Sequence, residues 1–219
     1  MPANRSFNFA AWSGPLMGAT FLTGVFGGTA LAGSPFPRPG SPDPAFRDYY
    51  EQNPSSAVLS AAGQLASTAC LAQFALTVDD LARRSGSPWF RAANAAGAAV
   101  ALAGLGASGA TTARLRGPAR HDPATAARLA RRSFVAGGPV HGVGFGLMTG
   151  VLALTGRQAG ILGPGAARLG LVSAGAGMLC PAYFLAEPAG WLIPVGRFTG
   201  LAVAAAAGRR LSRSGRGES

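Results

Sequence analysis

Two side chains stand where ionisable groups are costly: His141, in SFVAGGPVHGVGFGLMTG, and Arg197, in LIPVGRFTGLAVA, each within a run otherwise free of charge. In hydrocarbon an Arg at the centre of a helix costs about 2.5 to 3.5 kcal/mol on the insertion scale, so a residue of this kind counts as a functional candidate. The His141 ring, beside Gly138 and Gly142, is placed to reach across a tight helix seam to a carbonyl or hydroxyl. Arg197 needs a helix-end carbonyl or the carboxylate of Glu187, although ten residues of separation prevent that pair from meeting along one straight helix. The chemistry these three residues would support is a proton or anion path; the plainer reading is a hydrogen-bonded His and Arg packed between helices. Tyr49 and Tyr50, adjacent in a loop, form a second candidate, either a ligand-binding loop or part of the aromatic belt at the headgroup level.

Other motifs lose their chemistry on inspection. Gly104, Gly106 and Gly109 match G-x-G-x-x-G with Asp122 downstream, but the fingerprint needs a strand before it and a βαβ unit around it, and here it lies in an Ala-rich, charge-free run. Asp79-Asp80 is similar to the aspartate pairs of membrane prenyltransferases, yet Arg83 stands where a third Asp belongs and no second acidic cluster follows. Cys70 and Cys180 form no C-x-x-C and read as small apolar packing residues. The two histidines, His121 and His141, lack the clustered ligands that zinc or haem requires, so no metal and no cofactor is expected.

The elements that must carry these residues are set by where charge is missing. Of 219 residues 48% are apolar and only 12% charged, about half the charged share of an ordinary soluble domain. Charge-free runs cover 6–37, 52–78, 92–113 and 133–156, each longer than the roughly 20 residues a helix needs to cross the bilayer core. The run 169–186 is close to the minimum, and 190–208 makes a further span with Arg197 near its middle. The expectation is an all-α polytopic transmembrane helical bundle of one domain, with six spans at about 9–33, 55–78, 92–113, 133–156, 167–186 and 189–208 and a disordered tail over 209–219. A five-span alternative places Arg197 at the interface. Ala30-Leu31-Ala32 looks like a cleavage site, but the apolar stretch before it is too long for a signal-peptide core.

Arginine supplies all 19 basic residues and the net charge is +11. The Arg residues sit mostly at span ends, where anionic lipid headgroups explain them and nucleic acid does not. Six spans with the N-terminus inside put 10 Arg on the cytoplasmic side and 8 outside; five spans give 13 against 6, so the positive-inside rule alone favours the alternative. A loop at 34–53 is Pro-rich, and DPATAARLARR offers Asp122 as the cap of a helix beginning at Pro123.

Small residues at every fourth position let helix backbones approach closely, which is how spans associate in lipid. Gly138, Gly142, Gly146 and Gly150 form one such ridge, Gly196, Gly200, Ala204 and Gly208 another, and Gly14 with Gly18 and Gly24 with Gly28 repeat the device. These are expected to be seams within one chain, with Gly142→Leu or Phe among the most damaging changes; a homo-oligomer or protein partner is the other use of such a ridge.

With the spans in place, the order of GPLMGATFLTGVFGG, PDPAFRDYYEQNPSSA, DPATAARLARRSFVAGGPVHGVGFGLM and LIPVGRFTGLAVA resembles the uncharacterised six-span integral membrane proteins of actinobacteria. The resemblance implies six spans with the first and third loops outside, and carries no catalytic residue. The expected function is a multi-pass protein of the inner (plasma) membrane, either a small transport unit or a membrane partner of another protein. The alternative is a membrane-embedded enzyme acting on a lipid or isoprenoid.

Overall fold

A computed structural model describes residues 9–214. Among them there are seven helices and no strand: α1 Phe9–Leu31, α2 Asp43–Gln52, α3 Pro54–Arg84, α4 Pro88–Arg114, α5 Pro123–Gln158, α6 Pro164–Leu179 and α7 Leu192–Ser214. Five stretches, α1, α3, α4, α5 and 187–213 (α7 with the 3-10 turn before it), are long and apolar enough to cross a membrane. Large apolar side chains cover their outer faces, among them Leu76, Val100 and Leu154. Trp89 and Trp191 stand exposed at opposite ends of the bundle, where amphipathic rings prefer the headgroup level.

Local sequence explains most boundaries. Five helices start with Pro in the first turn, where its missing N–H removes no helical bond and its fixed φ suits the helix. The short connections after α3 and α5 each reverse the chain through a left-handed glycine, Gly86 at φ 72° and Gly160 at φ 70°, whose N–H groups bond to the carbonyls of Arg83 and Arg157.

The six long helices pack in chain order as a closed, antiparallel ring. Gly24 lies on Gly63 (α1 on α3), Asn94 donates to the Ala75 carbonyl at 3.1 Å (α4 on α3), and Gly97 lies on Gly144 (α4 on α5). Gly146 and Gly177 join α5 to α6, Ser173 donates to the Gly196 carbonyl at 2.6 Å (α6 on α7), and Gly14 against Ala204 closes α7 on α1. Residues 9 and 214 therefore lie at the same end; the opposite end carries α2 and the connections 115–122 and 180–191.

Several expected boundaries move. The fifth span, expected over 167–186, is a helix of only 16 residues, about 24 Å long, followed by a 3-10 turn over Cys180–Phe184. Pro181 in the first turn of that segment and Pro188 beyond it cannot continue an α-helical ladder. The fourth span is the inner part of a longer helix that starts at Pro123, because Asp122 caps it: the Thr125 N–H donates to Asp122 Oδ2 at 2.9 Å. Residues 209–214 of the expected disordered tail are helical, and 215–219 lie outside the described residues.

The ridges serve as intramolecular seams, but not where the spacing alone puts the tightest contact. A Cβ at Gly142 would lie 2.9 Å from the Cys180 sulfur, the end of a side chain that can turn away. At Gly144, off the ridge, it would lie 2.5 Å from the Gly97 carbonyl oxygen, which is backbone and cannot move aside. Gly150 meets only the Ala174 methyl, at 3.2 Å, and Gly138 the tip of Ile193, at 3.6 Å.

The connection 115–122 and the outer turns of α5 take part in a second small core. Beyond the ring, α2 lies across the outer turns of α5, burying Phe46, Tyr49, Tyr50, Leu115, Ala126 and Leu129 together. Arg131 holds this cap, donating to the Pro39 and Ser41 carbonyls and to Asp43, each at 2.9 Å, with its guanidinium 5.2 Å from the centre of the Phe46 ring. At the tip His121 Nδ1 lies 2.9 Å from Glu51.

The Asp122 cap makes a pH prediction. Hydrogen bonds from the Thr125 side chain and N–H hold its carboxyl below the ordinary carboxylate range. With the folded pKa depressed, the cap's contribution is complete above the ordinary value of 3.8 and is lost as pH falls through the lower folded value. Amide exchange in the first turn of α5 should therefore accelerate below about pH 4 in the parent protein. In Asp122→Ala it should be fast throughout, with no such pH step.

Candidate functional site

The two expected intramembrane residues flank one irregularity of α5. Over Ala136–Val140 the helix widens to a π-helical turn containing Pro139, which has no N–H to give the ladder. The His141 N–H bonds to the carbonyls of Ala136 and Gly138, and the intervening Gly137 carbonyl accepts from the Arg197 guanidinium on α7. Arg197 also lies over Phe21 of α1, 4.6 Å from the ring centre. A half-buried cation thus rests on a carbonyl and an aromatic face.

His141 is fully packed. Its Nδ1 lies 3.1 Å from the Ala101 carbonyl and its ring stacks on Phe145 with centroids 5.4 Å apart, a ring hydrogen-bonded across a helix seam. Glu187 does not join these two: it is exposed in the 3-10 turn Glu187–Trp191, outside the ring, beside a surface groove with Arg38 and Tyr183. The ten-residue separation is not closed by the fold, because Pro188 and the 3-10 turn place Glu187 outside the bundle while α7 carries Arg197 into it. The three-residue intramembrane set is corrected to Arg197 with His141 as its neighbour across the π turn.

Above Arg197, toward the α2 end, the ring encloses a chamber of about 320 Å³, near the lower limit of the roughly 300 to 1,000 Å³ of small-molecule sites. Its walls are mostly apolar, with Phe21, Val25, Leu105 and Ile193 among them. Hydroxyls of Ser56, Ser60, Ser108 and Thr112, the Gln64 amide and Arg197 supply the polar part. Arg197 is the single charged side chain in the lining; no carboxylate and no imidazole faces the chamber.

Tyr49 and Tyr50 are part of this site and not of an aromatic belt. They are 6% and 3% exposed, held edge to face with centroids 5.2 Å apart, and with Phe36 they roof the chamber. The Pro-rich loop and α2 fold back over the ring, so rings that sequence position alone would leave at the interface are buried. Tyr49 Oη shares a hydrogen bond of 3.1 Å with Ser56, and burial pushes the Tyr50 phenol above its ordinary pKa.

Two polar atoms in the lining are closed to solvent and have no protein partner: Arg197 Nε and Gln64 Oε1. Their side chains meet at Gly137, whose carbonyl accepts from a terminal nitrogen of Arg197 and whose Cβ position lies 4.0 Å from Gln64 Oε1. Close by, Ser133 is satisfied within the protein, sharing bonds of 2.9 Å with Ser108 and 2.8 Å with Thr112. An unpaired buried polar group costs about 1 to 3 kcal/mol, so an unpaired donor and acceptor on two side chains that line one cavity mark a place for a ligand group.

Gln64, Ser60 and Ser108 were not singled out by sequence. The available signal was polar residues at 56, 60 and 64, one face of α3, facing Thr112 and Ser108 on α4. The remaining motifs keep their plain readings. Asp79 pairs with Arg83 and Arg91, Asp80 pairs with Arg83, Cys70 and Cys180 are buried free thiols, and no metal-ligand cluster occurs among the described residues. Comparison with family models, with curated proteins and with solved structures finds no match for this chain.

Proposed function

We propose that the protein is a multi-pass inner-membrane protein that carries a small molecule, with the chamber around Arg197 as its binding site and six passes through the bilayer. The short helix α6 makes the fifth pass together with the 3-10 turn that follows it. The end bearing residues 9 and 214 faces the cytoplasm, the side that holds 10 of the Arg against 8 on the other. The observation that carries the reading is the unpaired donor and acceptor, Arg197 Nε and Gln64 Oε1, in one chamber inside a ring of long apolar helices.

Two features support movement of a ligand through the site. Both π-helical turns, Thr23–Gly27 in α1 and Ala136–Val140 in α5, border the chamber, and such turns are where a helix ladder is least regular. The roof is a small core of its own, packed on the ends of α3 and α5 and tied to α5 by Arg131, which makes it the part of the wall with the fewest seams to break.

Cysteine accessibility tests the reading. In a background of Cys70→Ala and Cys180→Ala, single cysteines at Ser60 and Ser108 are exposed to a membrane-impermeant maleimide in intact cells and in inverted vesicles. A carrier labels at both positions from both faces. Labelling from one face or from neither refutes transport.

A further inference from the structure

We infer that the chamber takes an amphiphile with a phosphate monoester head and a hydrocarbon tail, the head seated between Arg197 and Gln64. This rests on the reading of the chamber as a binding site and adds the class of its ligand.

The head follows from the two unpaired atoms. Arg197 Nε offers an N–H and needs an acceptor; Gln64 Oε1 is an acceptor and needs a donor. A singly protonated phosphate monoester supplies both, an anionic oxygen for Arg197 and a P–O–H for Gln64, whereas a carboxylate supplies acceptors alone. Charge agrees: Arg197 is the one charged side chain in the lining, so an anion meets attraction and no carboxylate repels it. Between low-dielectric walls that attraction is stronger than at an open surface.

The tail follows from the walls. Beside the polar cluster the chamber is bounded by Phe21, Val25, Leu105 and Ile193, which would strand a fully hydrated anion against apolar surface. Near the end bearing residues 9 and 214, α1 and α7 meet backbone to backbone, at Gly14 on Ala204 and Gly208 on Ala11. Farther along α1 its small residues turn to α3, and contact with α7 passes to side chains, where Phe26 stacks on Phe198 with centroids 6.1 Å apart. Both rings are exposed on the outer face, 57% and 43%. These exposed rings, with the apolar walls of the chamber, offer an acyl or isoprenoid chain surface that a soluble phosphate would not use.

The test uses the full-length protein in dodecyl maltoside and follows its thermal unfolding against concentration of decyl phosphate, decanoate, decyltrimethylammonium and inorganic phosphate. Decyl phosphate should raise the Tm saturably. Decanoate should bind about tenfold more weakly or worse, and inorganic phosphate and the ammonium amphiphile should give no shift. Arg197→Gln should weaken decyl phosphate roughly ten- to a hundredfold, the equivalent of one charge-assisted hydrogen bond. Gln64→Leu should weaken it about five- to tenfold; that side chain has no protein partner at Oε1, so this variant stands as the test if Arg197→Gln does not fold. Equal stabilisation by decyltrimethylammonium, or unchanged affinity in Gln64→Leu, overturns the proposal. Inorganic phosphate binding as tightly as decyl phosphate overturns the tail, and decanoate binding as tightly overturns the phosphate head. Decyl phosphate binding with cysteine labelling from one face alone would refute transport and leave the ligand. Labelling from both faces without decyl phosphate binding would do the reverse.

Discussion

Gly144→Ala should abolish most of the folded protein, and Gly142→Ala, two residues away on the same helix, should be tolerated. The added methyl at Gly144 would overlap the backbone of α4, lying 2.5 Å from the Gly97 carbonyl oxygen and 2.9 Å from the Ala101 Cα. Neither neighbour can rotate away, so α4 and α5 must separate along a seam that also carries the His141 bond to Ala101 and the Ser108–Ser133 pair. Overpacking costs about 1 to 3 kcal/mol where side chains can adjust; here the cost falls at or beyond the upper end. At Gly142 the methyl would meet the Cys180 sulfur, which can turn, and a loss below about 1 kcal/mol is expected. Thermal unfolding of the two purified variants decides the matter. Equal stability would mean that the α4–α5 seam is looser than its geometry.

Arg131→Ala should release the roof of the chamber while leaving the helix ring intact. The side chain makes three bonds of 2.9 Å to the segment 39–43 and stacks on Phe46, and among the described residues no other side chain ties that segment to α5 through as many bonds. Because the Arg131–Asp43 pair is 41% and 43% exposed, the carboxylate bond counts for little, and the carbonyl bonds and ring contact dominate. A local loss of about 2 to 3 kcal/mol follows, enough to raise the open population of the cap by a factor of roughly 30 to 160. Trypsin should then cut after Arg47 many times faster, with amide exchange in α3 and α4 unchanged. Arg128→Ala, which loses a bond of 3.0 Å to Thr125 within its own helix, is the control and should cleave at the parent rate. If the two variants are cut alike, the roof is not held by Arg131.

The two results bear on the site together. The seam around Gly144 fixes where the π turn of α5 presents the Gly137 carbonyl to Arg197, and the Arg131 clamp fixes Tyr49 and Tyr50 above the chamber. The first change should remove the site with the fold. The second should open it, which predicts faster maleimide labelling at Ser60 and Ser108 from the α2 side.

The sequence by itself determined that this chain is a bundle of apolar helices, because hydrocarbon cannot satisfy charges or open backbone and the gaps between charges show helix lengths directly. It also determined most helix starts through Pro and the Asp122 cap, and singled out His141 and Arg197 as the ionisable groups placed within spans. What only the tertiary structure decided is which small residues touch backbone, where Tyr49 and Tyr50 end up, and who partners Arg197. A fourth-residue ridge defines a helix face, but the closest approach depends on how the facing helix is rotated, and that put Gly144 ahead of Gly142. The chamber is furthest from the sequence. It is assembled from single residues of α1, α3, α4, α5 and α7 under a roof from α2, and its two unpaired atoms are recognisable only after every neighbouring polar group has been given its partner.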